Sequence, residues 1–285
     1  VRAYITPPVL SNHEVVALNE LNKMASGKDY VVGWWDFGFP IRYYADVKTW
    51  ADGAQHSGGQ NYPISFVLTS SDPLSVAHML RLNTEYMEKN FRDQNSSFSS
   101  VFEYMMNEEG FKDPNDFLNA IALPEYKTPP KTRDVYLYLP LRMMEIFPTA
   151  ALFSNLDLKT GKSALQPFFY ATQNFRDMGK MLDLGQGVSI EKATSTLKLG
   201  SQTVPIKTFY QVGYDQNQKI KINRQTFASE GLNVIFMASY NQFLVLDDYY
   251  FNSAYIQMFV LEQYDKNLFQ PVILSPLTKI YKLKI

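Results

Sequence analysis

Trp34-Trp35-Asp36-Phe37-Gly38 sets two indole donors and one carboxylate acceptor beside a glycine. The set suits one ligand group in particular. An alcohol both gives and accepts a hydrogen bond, an indole N–H only gives and an ionised carboxylate only accepts, so Trp plus Asp satisfies both halves of a Ser or Thr side chain. A pocket built this way rejects analogues lacking the hydroxyl, on the order of 10⁴-fold in favourable systems, because its own polar groups are then left unpaired. Taken alone, the residues also read as a buried aromatic anchor beside a hydrogen-bonded Asp, since Trp is heavily buried on average.

The flanking segments must hold these groups in place. Ser11-Asn12-His13-Glu14 reads as a capping box, and Val15, Leu18, Leu21 and Met24 then recur on one helical face until Gly27. Residues 30–35 are β-branched and aromatic, which predicts a strand that delivers Asp36 to the loop at its end. Beyond Pro40 a short helix runs through Arg42-Tyr43-Tyr44, and the Gly-rich stretch 52–59 reads as a mobile loop. Ser71-Asp72-Pro73 starts a long amphipathic helix whose buried side carries Val76, Met79, Leu80, Leu82, Tyr86 and Met87. Further helices are expected over 101–106 and 117–123. Alternation at Val135, Leu137 and Leu139 predicts a short strand, with Pro140 as the first residue of a helix that sets Met143 and Ile146 one turn apart. Apolar residues at that spacing usually face a core.

From about Asn155 the pattern changes, as Gly161, Gly179, Gly185, Gly187, Gly200 and Gly213 punctuate short β-type runs such as 203–206, 219–222 and 234–237. Helical character returns over 252–259, and 279–284 alternates as a closing strand. The expected class is therefore α+β: a helix-rich core lobe with a small sheet, formed by 1–154 and 249–285, plus a β-rich insertion lobe over 155–248.

Composition narrows the function. With 27 basic and 28 acidic residues in 285, the formal charge of −1 supplies no electrostatic footprint for phosphate backbones, and nucleic acid is excluded as a partner. The absence of cysteine removes thiolate nucleophiles, disulfides and Cys-ligated zinc. His13, His56 and His78 show no metal-ligand spacing, so no metal is expected in this chain. There is no apolar run long enough to span a bilayer, and Val1-Arg2-Ala3-Tyr4 lacks the plan of a signal peptide, which reads as a soluble piece. An aromatic content of 15% suits surfaces that face sugars, peptides or a membrane interface. Two rival classes follow: a carbohydrate-binding module in which Trp34, Trp50 and the tyrosines stack on sugar rings, and a glycosidase pairing Asp36 with a distant acid such as Glu85. Nothing in the spacing selects that second acid.

The pentapeptide resembles the Trp-Trp-Asp-Tyr-Gly signature of the oligosaccharyltransferase catalytic subunit, and Phe39-Pro40-Ile41-Arg42-Tyr43-Tyr44 continues the bacterial single-subunit version. The likeness extends through 132–138, 252–255 and 264–269 and is weakest across the β-rich stretch. Met143 and Ile146 resemble the second bacterial signature of that family. The resemblance implies a C-terminal periplasmic domain, at the periplasmic face of the bacterial inner membrane, of an enzyme that moves a lipid-linked oligosaccharide onto Asn in Asn-X-Ser/Thr. Trp34, Trp35 and Asp36 would grip the Ser/Thr hydroxyl, Ile146 would meet the Thr methyl and Met143 would offer an adaptable wall, while His56 would contact the donor head group. The partners so implied are acceptor polypeptides with Asp/Glu-X-Asn-X-Ser/Thr, the lipid-linked oligosaccharide and the enzyme's own N-terminal transmembrane domain. A divalent metal, Mn or Mg, and the catalytic centre would lie in that transmembrane part, so no cofactor and no catalytic residue is expected here. The fourth signature residue is Phe37 rather than Tyr, which leaves any role of that hydroxyl without a carrier. Asn95-Ser96-Ser97 is the one Asn-X-Ser/Thr tripeptide of the chain, with Asp93 two residues before it, so Asn95 is a candidate for self-glycosylation.

Overall fold

The computed structural model describes residues 10–93, 98–163, 165–172 and 174–285. Asn95 lies outside the described residues. The chain forms an α+β fold in which a helix-rich core with a four-stranded sheet adjoins a larger nine-stranded sheet.

Helix α1 (Asn12–Asn22) begins at the capping box: Ser11 accepts from the Glu14 N–H, and the Glu14 carboxylate accepts from the Ser11 N–H at 2.8 Å. It stops at Asn22, short of Gly27, with Leu18 and Leu21 fully buried. Strand β1 is only Tyr30–Val32, and the chain then leaves the sheet, so Trp35–Phe37 form a 3₁₀ turn rather than a strand end. The turn leads directly into α2 (Gly38–Ala45), which starts ahead of Pro40. A further departure follows at α3 (Gly58–Thr69): its start falls inside the stretch expected to be a loop, because Ser57 and Gln60 form a second capping box over Gly58 and Gly59. Helix α4 (Pro73–Asp93) starts with proline at the first position, where its missing N–H costs nothing, and Asp72 accepts from Ser75 N–H at 2.9 Å. Helix α5 (Val101–Glu108) sends Phe102, and the loop after it Phe111, against Phe117 of α6 (Pro114–Ala120).

Strand β2 (Val135–Pro140) is buried along its whole length, as a strand covered on both faces must be. Pro140 ends this strand instead of opening the next helix, and α7 runs from Met143 to Ala151. The β-rich stretch supplies β3 (Phe169–Ala171), β4 (Arg176–Asp177), β5 (Met181–Gly185), β6 (Val188–Glu191), β7 (Thr196–Leu199), β8 (Gln202–Tyr214), β9 (Ile220–Thr226), β10 (Leu232–Met237) and β11 (Gln242–Leu246). These pair in the order β3-β11-β10-β8-β7-β6-β5-β4, with β9 also on β8. Every pairing is antiparallel except β8 with β10. Alternation along β10 and β11 divides their side chains between two cores: Ile235, Leu244 and Leu246 join the helical core, while Val234, Phe243 and Val245 build the second.

The chain returns through α8 (Asp248–Phe251) and a π-helical turn over Ile256–Val260 to β12 (Phe269–Leu274) and β13 (Thr278–Leu283). The smaller sheet has the order β1-β2-β13-β12, with β1 and β2 parallel. Tyr255 stacks flat on Phe259 at 5.3 Å and donates its hydroxyl to the Pro140 carbonyl, which fixes the π turn against the end of β2. Lys279 on β13 is fully buried: its ammonium donates to the Phe259 carbonyl at 2.6 Å, pairs with Glu262 at 2.7 Å and sits 5.4 Å from the Tyr214 ring of β8. Burial pulls this lysine down to about 8 despite the Glu262 carboxylate. Among the described residues no helix is long and apolar enough to cross a membrane.

Candidate functional site

The pentapeptide occupies the crossover from β1 to α2, and its five residues have distinct fates. Trp34 is 5% exposed and packs its ring 5.6 Å from Phe153, so it is an anchor as well as a donor. Trp35 is half-buried and stacks on His56 with ring centroids 4.3 Å apart and 18° between planes. Asp36 is exposed. Partial burial pushes its carboxyl above the ordinary value, opposed by the charge of Arg142, a hydrogen bond from the Trp34 side chain and the charge of His56. Phe37 is buried, meets Tyr138 edge-on at 5.9 Å and lies under the Arg142 guanidinium at 5.9 Å. At Gly38 a Cβ would fall 2.4 Å from the Ala51 carbonyl oxygen and 2.6 Å from Asp52, so only glycine permits this backbone crossing.

The loop that faces the turn is tied down from several sides. Asp52 accepts from Arg42 of α2 at 2.6 Å and from the Ala54 and Gln55 N–H groups at 2.9 and 3.0 Å. Burial would raise its carboxyl, but these donors together hold it below the ordinary value. The His56 carbonyl accepts from the Asn61 amide of α3 at 3.1 Å, which places the imidazole over Trp35.

Helix α7 carries the other expected residues. Met143 is 1% exposed and belongs to the core, whereas Ile146, three positions on, is half-buried and presents part of its side chain outward. Both ends of this helix meet the pentapeptide: Arg142, at its N-cap, stands over Phe37 with its charge acting on Asp36, and Phe153, just past its last turn, reaches Trp34. Trp34, Trp35, Asp36, His56 and the α7 helix are thus brought together. Arg142, Phe153, Tyr138 and Asn61 were not singled out by the sequence reading; only Arg142 carried a signal, as the one charge directly before Met143.

The rival readings lose their residues. Trp50 is 2% exposed and donates its indole N–H to Thr84 at 3.0 Å, so neither it nor Trp34 offers a face to a sugar. Glu85 is buried, ion-paired with Arg81 at 2.8 Å and engaged by Thr132, which spends its acceptor capacity inside the fold. A cavity of about 480 Å³ lined by Ser70, Val76, Met258, Tyr264 and Phe269 contains none of the pentapeptide. Among the described residues no group of three or more His, Asp or Glu side chains is disposed to hold a metal ion.

Comparison with known proteins gives two family matches: the STT3/PglB/AglB core domain over residues 27–160, and the STT3/PglB C-terminal β-barrel domain over 168–246. Two undecaprenyl-diphosphooligosaccharide–protein glycotransferases of Campylobacter jejuni, from strain RM1221 and from a serotype O:2 strain, are each 39% identical over 289 residues. The alignment takes in 99% of this chain and 40% of theirs, so the chain spans about two fifths of the length of the curated relatives it matches. The crystal structure of the C. jejuni PglB C-terminal domain superposes with a TM-score of 0.83 at 36% identity, covering 95% of this chain and 100% of that one. The chain belongs to the STT3/PglB/AglB family and matches the C-terminal domain of its bacterial members, in sequence and in fold.

Proposed function

We propose that this chain is the acceptor-recognition part of a bacterial oligosaccharyltransferase, which transfers a lipid-linked oligosaccharide to Asn in Asn-X-Ser/Thr at the periplasmic face of the inner membrane. The observation that carries the reading is the contact of one tryptophan–aspartate turn with both ends of α7. It supports a reading in which the exposed Asp36 carboxylate and the half-buried Ile146 of the same helix serve one acceptor side chain.

Asp36 accepts the hydrogen bond of the acceptor Ser/Thr hydroxyl, two positions after the target Asn. Trp35 donates to that hydroxyl oxygen, and Trp34 joins it by exchanging its single indole N–H from the Asp36 carboxylate to the ligand. Holding the hydroxyl fixes the register of the peptide, so the target amide is offered at one place only. Ile146 meets the Thr methyl, a contact worth about 0.8 kcal/mol per buried carbon, while Met143 fills the space behind it. The buried Phe37 ring packs the turn against Tyr138, so the turn is anchored without a hydroxyl at that position.

The remaining parts of the reading concern the longer protein. The catalytic carboxylates and a divalent metal, Mn or Mg, belong to its N-terminal transmembrane domain, and this chain alone transfers nothing. His56, stacked on Trp35, faces the donor head group, and Asn95 is glycosylated when the whole enzyme and its donor are present. Residues 1–154 with 249–285 act as the recognition body, and 155–248 as an insertion upon it.

The test is peptide binding by the 285-residue chain and by the full-length enzyme. Asp-Gln-Asn-Ala-Thr binds or cross-links near Asp36, and the same peptide with Ala for Thr does not. Equal capture of both peptides ends the reading.

A further inference from the structure

The charge that stands over the motif turn comes from a residue that belongs to neither signature. Arg142 is exposed, occupies the N-cap of α7 and holds its guanidinium 5.9 Å above the ring of Phe37. That ring is 3% exposed and wedged edge-on against Tyr138, so its face is a fixed platform and the guanidinium on it has a defined place. A cation over an aromatic face gains about 0.5–1 kcal/mol at exposed sites. Asp36, one residue before Phe37, lies within the field of the same guanidinium. Two other groups act on that carboxylate: the Trp34 side chain, which bonds to it, and His56 of the loop before α3.

We propose that Arg142 is a positioning residue: seated on Phe37 at the entrance to α7, it clamps the Trp35–Phe37 turn so that the Asp36 carboxylate is presented beside Ile146. The inference rests on the hydroxyl-recognition reading and adds to it the group that fixes the acceptor oxygen. Arginine suits the task better than lysine, because a planar guanidinium stacks on the ring while its charge still faces the carboxylate. An ammonium keeps the charge and loses most of the stacking.

The experiment uses the 285-residue chain with ¹³C-labelled aspartate carboxyls, Asp36 being assigned by its loss in Asp36→Asn. In Arg142→Gln the Asp36 carboxyl titrates at higher pH than in the wild type, and in Arg142→Lys it returns most of the way. The full-length enzyme, assayed with paired Thr and Ser peptides, loses about threefold to tenfold in kcat/KM with Arg142→Gln, mainly through KM, and Arg142→Lys recovers part of it. An unchanged Asp36 titration in Arg142→Gln overturns the clamp whatever the peptide results are. If Arg142→Gln melts early, the Lys variant decides: a wild-type Asp36 titration with weakened peptide binding supports the clamp, and wild-type behaviour in both overturns it. Failure of the wild type to distinguish Thr from Ala peptides, with the titration shift present, overturns the recognition reading and leaves the hold of Arg142 on the turn standing.

Discussion

Lys279 offers the sharpest physical test of the packing between the two sheets. Its ammonium is held at about 8 by burial, against an ordinary value of 10.5, while the unfolded chain leaves it in water. Each factor of ten is worth about 1.4 kcal/mol, so keeping the side chain charged costs the fold about 3 kcal/mol near neutral pH. Between the folded and unfolded values the unfolded state binds more protons, and stability therefore rises with pH. Integrating across that window gives a gain of about 2 kcal/mol from about pH 7.5 to about pH 9.5. Buried tyrosines such as Tyr30 and Tyr281, which resist ionisation in the fold and ionise first in the unfolded chain, begin to oppose this gain toward the top of the window, so the lysine's share is the difference between the wild type and a variant without the charge pair. Urea unfolding followed by tryptophan fluorescence at fixed pH values measures this directly. In Lys279→Met with Glu262→Gln, which removes both charges together, the rise disappears. A wild-type stability that does not rise relative to the double variant across the window refutes the reasoning.

Three further outcomes are expected. Asp36→Ala in the full-length enzyme lowers kcat/KM for Thr and Ser peptides together by at least about 10²-fold, because the hydroxyl then has no acceptor; a loss confined to one peptide argues against the shared bond. Ile146→Ala reduces the preference for Thr over Ser by about fourfold, the equivalent of one methyl contact of about 0.8 kcal/mol, and paired kinetics in which both peptides lose equally remove that contact from the account. Trp50→Phe deletes the indole N–H that meets Thr84 and lowers stability by about 1–3 kcal/mol in urea titrations while leaving the peptide preference unchanged; a changed preference would give Trp50 a place at the site.

What the sequence disclosed about this fold was local. The capping box at Ser11 and Glu14, the proline at the head of α4 and the strand-forming run of β2 are set by near neighbours, and each is realised, although β2 is buried throughout rather than on alternate residues. Helix α3 escaped notice although Ser57 and Gln60 spell its cap, because Gly58, Gly59 and Pro63 together outweigh one capping signal by propensity. The short reach of β1 was equally hidden: nothing in Gly33-Trp34-Trp35 announces that the strand stops at Val32, since it stops where Gly33 closes on the Tyr138 ring. At the candidate site, residue types and spacing nominated the groups, but which of them face solvent depends on partners distant in the chain. Met143 turns inward and Ile146 halfway out by their position on α7, and Trp34 is buried by Phe153, over 100 residues downstream.

The backbone crossing at Gly38 bears on how this protein can vary. Ala51 and Asp52 leave no volume for even a methyl group there, although the backbone dihedrals are those of an ordinary helix. A saturation library over the motif will therefore return a lopsided tolerance map, with exchange of ring substituents at Phe37 and none at its neighbour. Variation around the turn has its room at the exposed Arg142 and the half-buried Ile146, and will find the floor beneath closed.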